Sequence, residues 1–199
     1  MVLADGAAPS AGALERAAET LRGGGLVAFP TESFYGLGAH ALDPRAVARV
    51  FAVKGRPESK PLLVLVDSAA MAEALAAEIP PGARELMARH WPGPLTLVLR
   101  AAAGVPESLT AGTGALGVRM PGHPVALALV RAARFAVTAP SANPSGAAPP
   151  TTAEAVLRYF DGALDLVVDG GPTAGGGGST IADCTVWPPR LLRAGPVPL

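Results

Sequence analysis

Three cations crowd one short stretch of an otherwise apolar chain: Lys54, Arg56 and Lys60, within VKGRPESKPLL (53–63). Gly55 and Pro57 restrict the backbone between them. A lysine offers a compact point charge and an arginine a planar fork, a combination suited to phosphate oxygens. Taken alone, the loop reads equally as a solvated turn. A second segment, APSANPSG (139–146), puts Ser141 and Asn143 directly after the apolar run FAVTA, where a hydroxyl and an amide can bond a phosphate or a hydroxyl. Taken alone, it reads as a Ser/Asn/Pro/Gly turn. A third, DGGPTAGGGGST (169–180), is not a Walker A loop, because Gly178 stands before Ser179 where that motif requires lysine. It reads either as a flap whose backbone can approach a ligand, with Ser179 and Thr180 at its base, or as a plain loop. The fourth, PTESFYGLG (30–38), offers Thr31, Glu32, Ser33 and Tyr35 as a polar turn. Arg119, in GVRMPGHP, is a cation inside an apolar strand pattern that must snorkel outward or meet a carboxylate.

Other chemistries fail on inventory. The single Cys184 excludes an internal disulfide and a multi-cysteine metal site, and its place between Asp183 and Thr185 suits an inert buried thiol. His40, His90 and His123 lack metal-ligand spacing, and no GxSxG elbow is present. His123 reads as the start of a helix, and HWPGP (90–94) as a helix stop and strand entry. Sixteen basic residues balance sixteen acidic ones, which disfavours a dedicated nucleic-acid binder. No apolar run approaches the length of a membrane helix, and the N-terminus carries an acid where a signal peptide would carry cations. The expectation is a cytoplasmic protein without a membrane association.

The elements that must position these segments are legible from caps and periodicity. Helices are predicted over 13–22, from Asp43-Pro44 onward with Val47, Val50 and Phe51 inward, from Asp67-Ser68 to about Ala77, from Pro80-Pro81 to His90, and over 124–133. A further helix starts at Thr151-Thr152, with Glu154 as capping-box partner of Thr151. Buried strands are predicted at 26–29 and 62–66, and further strands at 95–99, 115–120, 135–139, 166–169, 179–186 and 190–193. Continuous apolar strands alternating with helices imply an α/β class with a twisted mixed sheet and flanking helices. The expectation is one domain over 1–199, with its core at about 13–195 and no additional C-terminal domain. All four polar segments fall at strand ends, where such folds keep their ligands.

In this order the segments resemble the YrdC-like family, and within it the short, single-domain threonylcarbamoyl-AMP synthases. FPTESFYGLGA, FAVKGRP…KPLLVLV, WPGPLTLVL, GVRMPGHP, APSANPSG, GGSTI and LLRAG each match a family block, from Leu26 to Gly195. The K-x-R of Lys54 and Arg56 followed by the S-x-N of Ser141 and Asn143 is the most specific part.

The resemblance implies a concave basic groove and the reaction of L-threonine, bicarbonate and ATP, as its Mg²⁺ complex, to L-threonylcarbamoyladenylate and pyrophosphate, with no prosthetic group. It implies delivery of the adenylate to the tRNA threonylcarbamoyl-transfer machinery that modifies adenosine 37. By the same resemblance, Lys54, Arg56, Ser141 and Asn143 form the catalytic set, and Lys60, Arg193 and the backbone at Ala115 and Pro149 join them on ATP. Ser33, Arg119 and Ser179, with Ala139 and Leu65 close by, hold threonine. Glu32 is a candidate general base by position. Ser33 replaces the usual threonine, Lys60 a frequent asparagine, and Leu65 a residue that in many members is polar. Two further readings are an RNA-binding or ribosome-associated module of the same fold, which implies weak RNA binding, and a carbamoyl-adenylate-forming domain of carbamoyl transfer.

Overall fold

Short polar side chains start four of the helices. Ser10, Asp43, Ser68 and Thr152 accept hydrogen bonds from the backbone N–H of Ala13, Arg45, Met71 and Ala155, at 3.2, 2.9, 3.2 and 3.2 Å. The computed structural model describes residues 2–4, 9–57 and 59–199, so Glu58 of the cationic segment lies outside the described residues. Its helices are α1 (Ala11–Arg22), α2 (Pro44–Lys54), α3 (Ala69–Leu75), α4 (Pro81–His90), α5 (Glu107–Thr110), α6 (Pro124–Ala133) and α7 (Ala153–Phe160). Thr152, not Thr151, caps α7, so the third helical residue is Ala155 and Glu154 forms no capping box.

The strands are β1 (Val2–Ala4), β2 (Val27–Pro30), β3 (Tyr35–Gly38), β4 (Leu63–Leu65), β5 (Leu95–Arg100), β6 (Ala115–Arg119), β7 (Val137–Thr138), β8 (Leu166–Asp169), β9 (Thr180–Asp183) and β10 (Arg190–Arg193). They form a four-stranded sheet in the order β1-β8-β2-β3 and a six-stranded sheet in the order β10-β9-β5-β6-β4-β7. Both are mixed: β2 runs parallel to β8 and antiparallel to β3, and β4 runs parallel to β6 and antiparallel to β7. The mixed α/β class read from the sequence is therefore what the chain adopts.

Strand alternation divides the interior in two. Val27, Phe29, Leu65, Leu166 and Val168 pack with Ala17, Leu21, Val125 and Leu129 of α1 and α6. Their neighbours Ala28, Val64 and Val167 face the larger cluster with Val47, Val50, Leu97 and Val118. The unpredicted β1 and α5 appear, the strand expected over 179–186 shortens to β9, and two further departures bear on the site. The segment read as a polar glycine turn continues into β3, whose four residues are all buried. Gly38 belongs there because a Cβ would stand 2.8 Å from the Phe29 ring and 3.0 Å from Val137. The strand expected over 135–139 shortens to β7, two residues that join the sheets. Thr138 donates its N–H to the Ala39 carbonyl and its hydroxyl to that of Leu37, each at 3.0 Å, while Leu37 N–H reaches the Pro140 carbonyl at 2.8 Å.

Candidate functional site

The seam between the two sheets opens into a cavity of about 620 Å³. Its wall includes Arg56, Arg119 and Arg193 and, among the described residues, no aspartate or glutamate. Of the residues that the resemblance places on ATP or threonine, Ser33, Arg56, Ala115, Arg119, Ala139, Ser141, Pro149, Ser179 and Arg193 line it. Lys54, Lys60, Leu65 and Asn143 do not.

Each of these four has a position that explains its absence. Lys54 is not in a loop: it is the last residue of α2, which Gly55 ends in the left-handed region at φ 55°. Only 3% exposed, Lys54 aims its Nζ at the carbonyls of Ser141 and Asn143, the latter at 2.6 Å, while its own carbonyl accepts from Ser145 N–H at 2.7 Å. Burial, reinforced by the nearby charge of Arg56, pulls its pKa down to about 8. Asn143 is likewise structural in its contacts, its Nδ2 donating to the Pro144 and Ala147 carbonyls at 2.9 and 2.8 Å. Leu65 is fully buried between β4 and the α1/α6 layer. The exposed Lys60 gives its carbonyl to Arg56 Nε at 3.3 Å, and Pro61 accepts from Arg56 Nη2 at 3.0 Å. The K-x-R and S-x-N segments thus meet, with Lys54 as the tie and Arg56 and Ser141 as the side chains on the cavity wall.

Arg119 sits at the end of β6, 5% exposed. Glu32 Oε2 lies 3.4 Å from its Nη2, so the carboxylate alternative read for this strand cation holds. Arg119 Nε is buried with no hydrogen-bond partner. Burial lowers the guanidinium pKa, Glu32 opposes that shift and the charge of Arg193 adds to it. Such a cation remains protonated at neutral pH, and leaving its donors unused in a dry site costs free energy.

Hydroxyls line the same cavity. Ser179 Oγ lies 2.7 Å from Thr96 Oγ1 and accepts from Arg193 Nη2 at 3.1 Å, while Arg193 Nε donates to the Ser179 carbonyl at 2.9 Å. Thr96 was not singled out in the sequence; its one signal there is a hydroxyl inside an otherwise aliphatic strand. The glycine-rich segment folds onto the first polar turn. Ser33 donates its hydroxyl to the Gly177 carbonyl at 3.1 Å, and its own carbonyl accepts from Thr173 Oγ1 at 2.7 Å and Gly175 N–H at 2.8 Å. Tyr35 is fully buried and donates to the Gly171 carbonyl at 2.7 Å; burial and the adjacent Asp169 push its phenol pKa up. Cys184 is free and buried, its thiol pushed up to about 11 by burial, in keeping with an inert role. His123 is the N-cap of α6, without a side-chain cap bond.

Among the described residues, no cluster of histidine, cysteine and carboxylates could hold a metal ion, and no helix is long and apolar enough to cross a membrane. The donor set of the wall, arginines and hydroxyls, fits anionic oxygens.

Known proteins resemble the chain over most of its length. The chain is 50% identical over 183 residues to the threonylcarbamoyl-AMP synthase of Pyrococcus abyssi, covering 92% of this chain and 54% of that one. It is 45% identical over 186 residues to the threonylcarbamoyl-AMP synthase of Bacillus subtilis, covering 92% of this chain and 53% of that one. The chain thus spans about half the length of these curated relatives. The crystal structure of P. abyssi Sua5 complexed with L-threonine superposes with a TM-score of 0.94 at 46% identity, over 97% of this chain and 57% of that one. The family model Sua5_yciO_yrdC, described as telomere recombination, matches residues 19–195, and the chain belongs to that Sua5/YciO/YrdC family.

Proposed function

We propose that the cavity joins L-threonine, bicarbonate and ATP into L-threonylcarbamoyladenylate with release of pyrophosphate, a product used to modify adenosine 37 of tRNA. The observation that carries this reading is Arg119, a nearly dry cation on the wall of a cavity that also presents Arg56, Arg193, Ser33, Ser141 and Ser179. A planar guanidinium with unused donors matches an amino-acid carboxylate, and hydroxyls beside it favour a polar side chain over an apolar one. The threonine complex of the P. abyssi relative supports the same assignment.

The chemistry has two steps. The deprotonated amine of threonine forms an N–C bond with bicarbonate and water leaves, giving a carbamate. A carbamate oxygen then bonds to the α-phosphorus of ATP while the bond from that phosphorus to the bridging oxygen breaks, and pyrophosphate departs. Two anions are driven together, so cations fixed on the cavity wall lower the barrier. Arg56 and Arg193 stand on the wall for the phosphates, and Ser141 is placed by the Lys54 tie. Mg²⁺ arrives as part of the nucleotide substrate. Positioning of the carbamate against the phosphorus supplies the rest.

Pyrophosphate release from ATP, with threonine and bicarbonate omitted in turn, tests this. Release is expected only with all three present, and Arg56→Ala is expected to lower it at least 100-fold with the melting temperature nearly unchanged, because its side-chain hydrogen bonds lie in an exposed loop. Release that ignores threonine overturns the assignment. Salt-sensitive RNA binding without turnover points instead to an RNA-binding module.

A further inference from the structure

Glu32 is the carboxylate that the cavity wall leaves out. The turn that carries it is fixed by Thr31, whose N–H and hydroxyl both reach the Phe34 carbonyl, at 3.0 and 2.6 Å. From there Glu32 Oε1 accepts the Gly122 N–H at 2.7 Å and Oε2 faces Arg119 Nη2 at 3.4 Å. Oε2 is buried and has no hydrogen-bond partner, and Arg119 Nε is in the same condition. The pair is in ionic contact yet not closed by a hydrogen bond. Among the described residues, Arg119 makes no other ion pair. Glu32 thus stands behind the guanidinium, anchored to the 121–123 turn, and does not line the cavity as a base acting on substrate would.

The cavity has to sort two anions. Resting on the reading of the cavity as a threonine and ATP site, Arg119 faces a choice between a singly charged carboxylate and a triphosphate of higher charge. Its side chain is long, and Arg193 lines the same cavity, so phosphates drawn to Arg193 also fall within reach of Arg119. We propose that Glu32 is a positioning residue that reserves Arg119 for the amino-acid carboxylate and keeps it off the nucleotide phosphates. It does so by fixing one edge of the guanidinium and by offsetting its charge toward a distant anion, while the opposite edge keeps the fork geometry a carboxylate needs.

Electrostatics and geometry then pull in opposite directions when Glu32 is neutralised. Losing its charge strengthens Arg119 toward every anion, and the triphosphate, with more charge, gains more than the carboxylate. Losing the tether removes the preset fork, which only the carboxylate depends on. The two ligands therefore respond with opposite sign, which a general loosening of the site cannot produce.

Calorimetric titration of the full chain with L-threonine and, separately, with Mg·ATP reads this out. In Glu32→Gln, threonine affinity is expected to fall at least tenfold while ATP affinity stays equal or rises. Glu32→Asp keeps the charge but reaches one partner at a time, so a smaller threonine loss with unchanged ATP affinity is expected. Equal losses of both ligands, or an unchanged threonine affinity, overturn the proposal; if Glu32→Gln does not fold, Glu32→Asp decides on the same criterion. Arg119→Ala separates the two levels. Threonine affinity that survives Arg119→Ala sinks the cavity reading itself, whereas its loss there with no change in Glu32→Gln sinks only the role of Glu32.

Discussion

Lys54 shows how a residue that carries a motif can serve it from behind. Its ammonium is buried at the C-terminus of α2 and bonds the carbonyls of Ser141 and Asn143, so it sets the position of the loop whose Ser141 lines the cavity. Replacing it leaves carbonyls without a donor, at a cost of about 1–3 kcal/mol. Lys54→Met is therefore expected to lower the melting temperature by roughly 3–10 °C, given about 2–4 °C per kcal/mol for a chain of this size, together with a loss of turnover. Thermal melts of the two proteins check it, and an unchanged melting temperature would remove the tie. Its titration adds a pH signature. The folded-state pKa lies near 8 and the ordinary value near 10.5, because burial disfavours the charged form. Between these two values the unfolded chain binds a proton that the folded chain does not, so stability rises with pH across that window. Below about pH 8 both states hold the proton and the contribution is flat. The wild-type protein minus Lys54→Met should show that rise, and an absence of any pH-dependent difference counts against a buried titrating amine.

At the scale of elements, β3 is the piece on which the site hangs. It pairs with β2 across the whole register from Val27–Gly38 to Pro30–Tyr35, and its isolated bridge from Gly36 to Ser141 touches the S-x-N loop. The two glycines of YGLG make opposite predictions. An alanine Cβ at Gly38 would lie 2.8 Å from Phe29, 3.0 Å from Val137 and 3.1 Å from the Val27 carbonyl, whereas at Gly36 the nearest atoms stand at 3.4 Å. Gly38→Ala is expected to cost about 1–3 kcal/mol by overpacking, while Gly36→Ala stays within about 0.5 kcal/mol, since it meets ordinary contact and lowers unfolded-chain entropy. Urea melts of both variants decide it; equal effects would mean that β3 does not pack against Phe29 as described. The same glycines are why the strand was not legible. A run with glycine at alternate positions has weak strand propensity, and the reason for it, the Phe29 ring on the neighbouring strand, is a tertiary fact. By contrast, the start of α2 and the whole of α6 were readable to within a residue or two, because Asp43-Pro44 and the His123-Pro124 entry announce their starts locally.

Over the whole molecule, the site was legible as a set of segments and not as a set of roles. Ordered loops at strand ends pointed to the cavity, and nine of the residues that the resemblance places on ligands do line it. What sequence order could not convey is which side chain of a motif faces the ligand. Lys54 turns inward because Gly55 ends its helix one residue before Arg56, and Leu65 points to the α1/α6 layer because strand alternation sends Val64 the other way. The pairing of Arg119 with Glu32 joins β6 to the turn before β3 and leaves no periodic trace in the chain. A cavity assembled from both sheets has a consequence for stability as a whole. A ligand that binds only the folded chain stabilises it by about 2.7 kcal/mol at a concentration one hundred times its dissociation constant. With elements of both sheets in its wall, such a ligand shifts the global transition and not a local one, by roughly 5–10 °C for a chain of this length. L-threonine and Mg·ATP should each produce that shift in differential scanning calorimetry as a single transition. Arg119→Ala should abolish the threonine shift and keep the ATP shift if, as proposed, its guanidinium serves the carboxylate alone. A threonine shift that persists in Arg119→Ala, or two transitions of which only one moves, would show that the cavity does not bind both substrates across the seam of the two sheets.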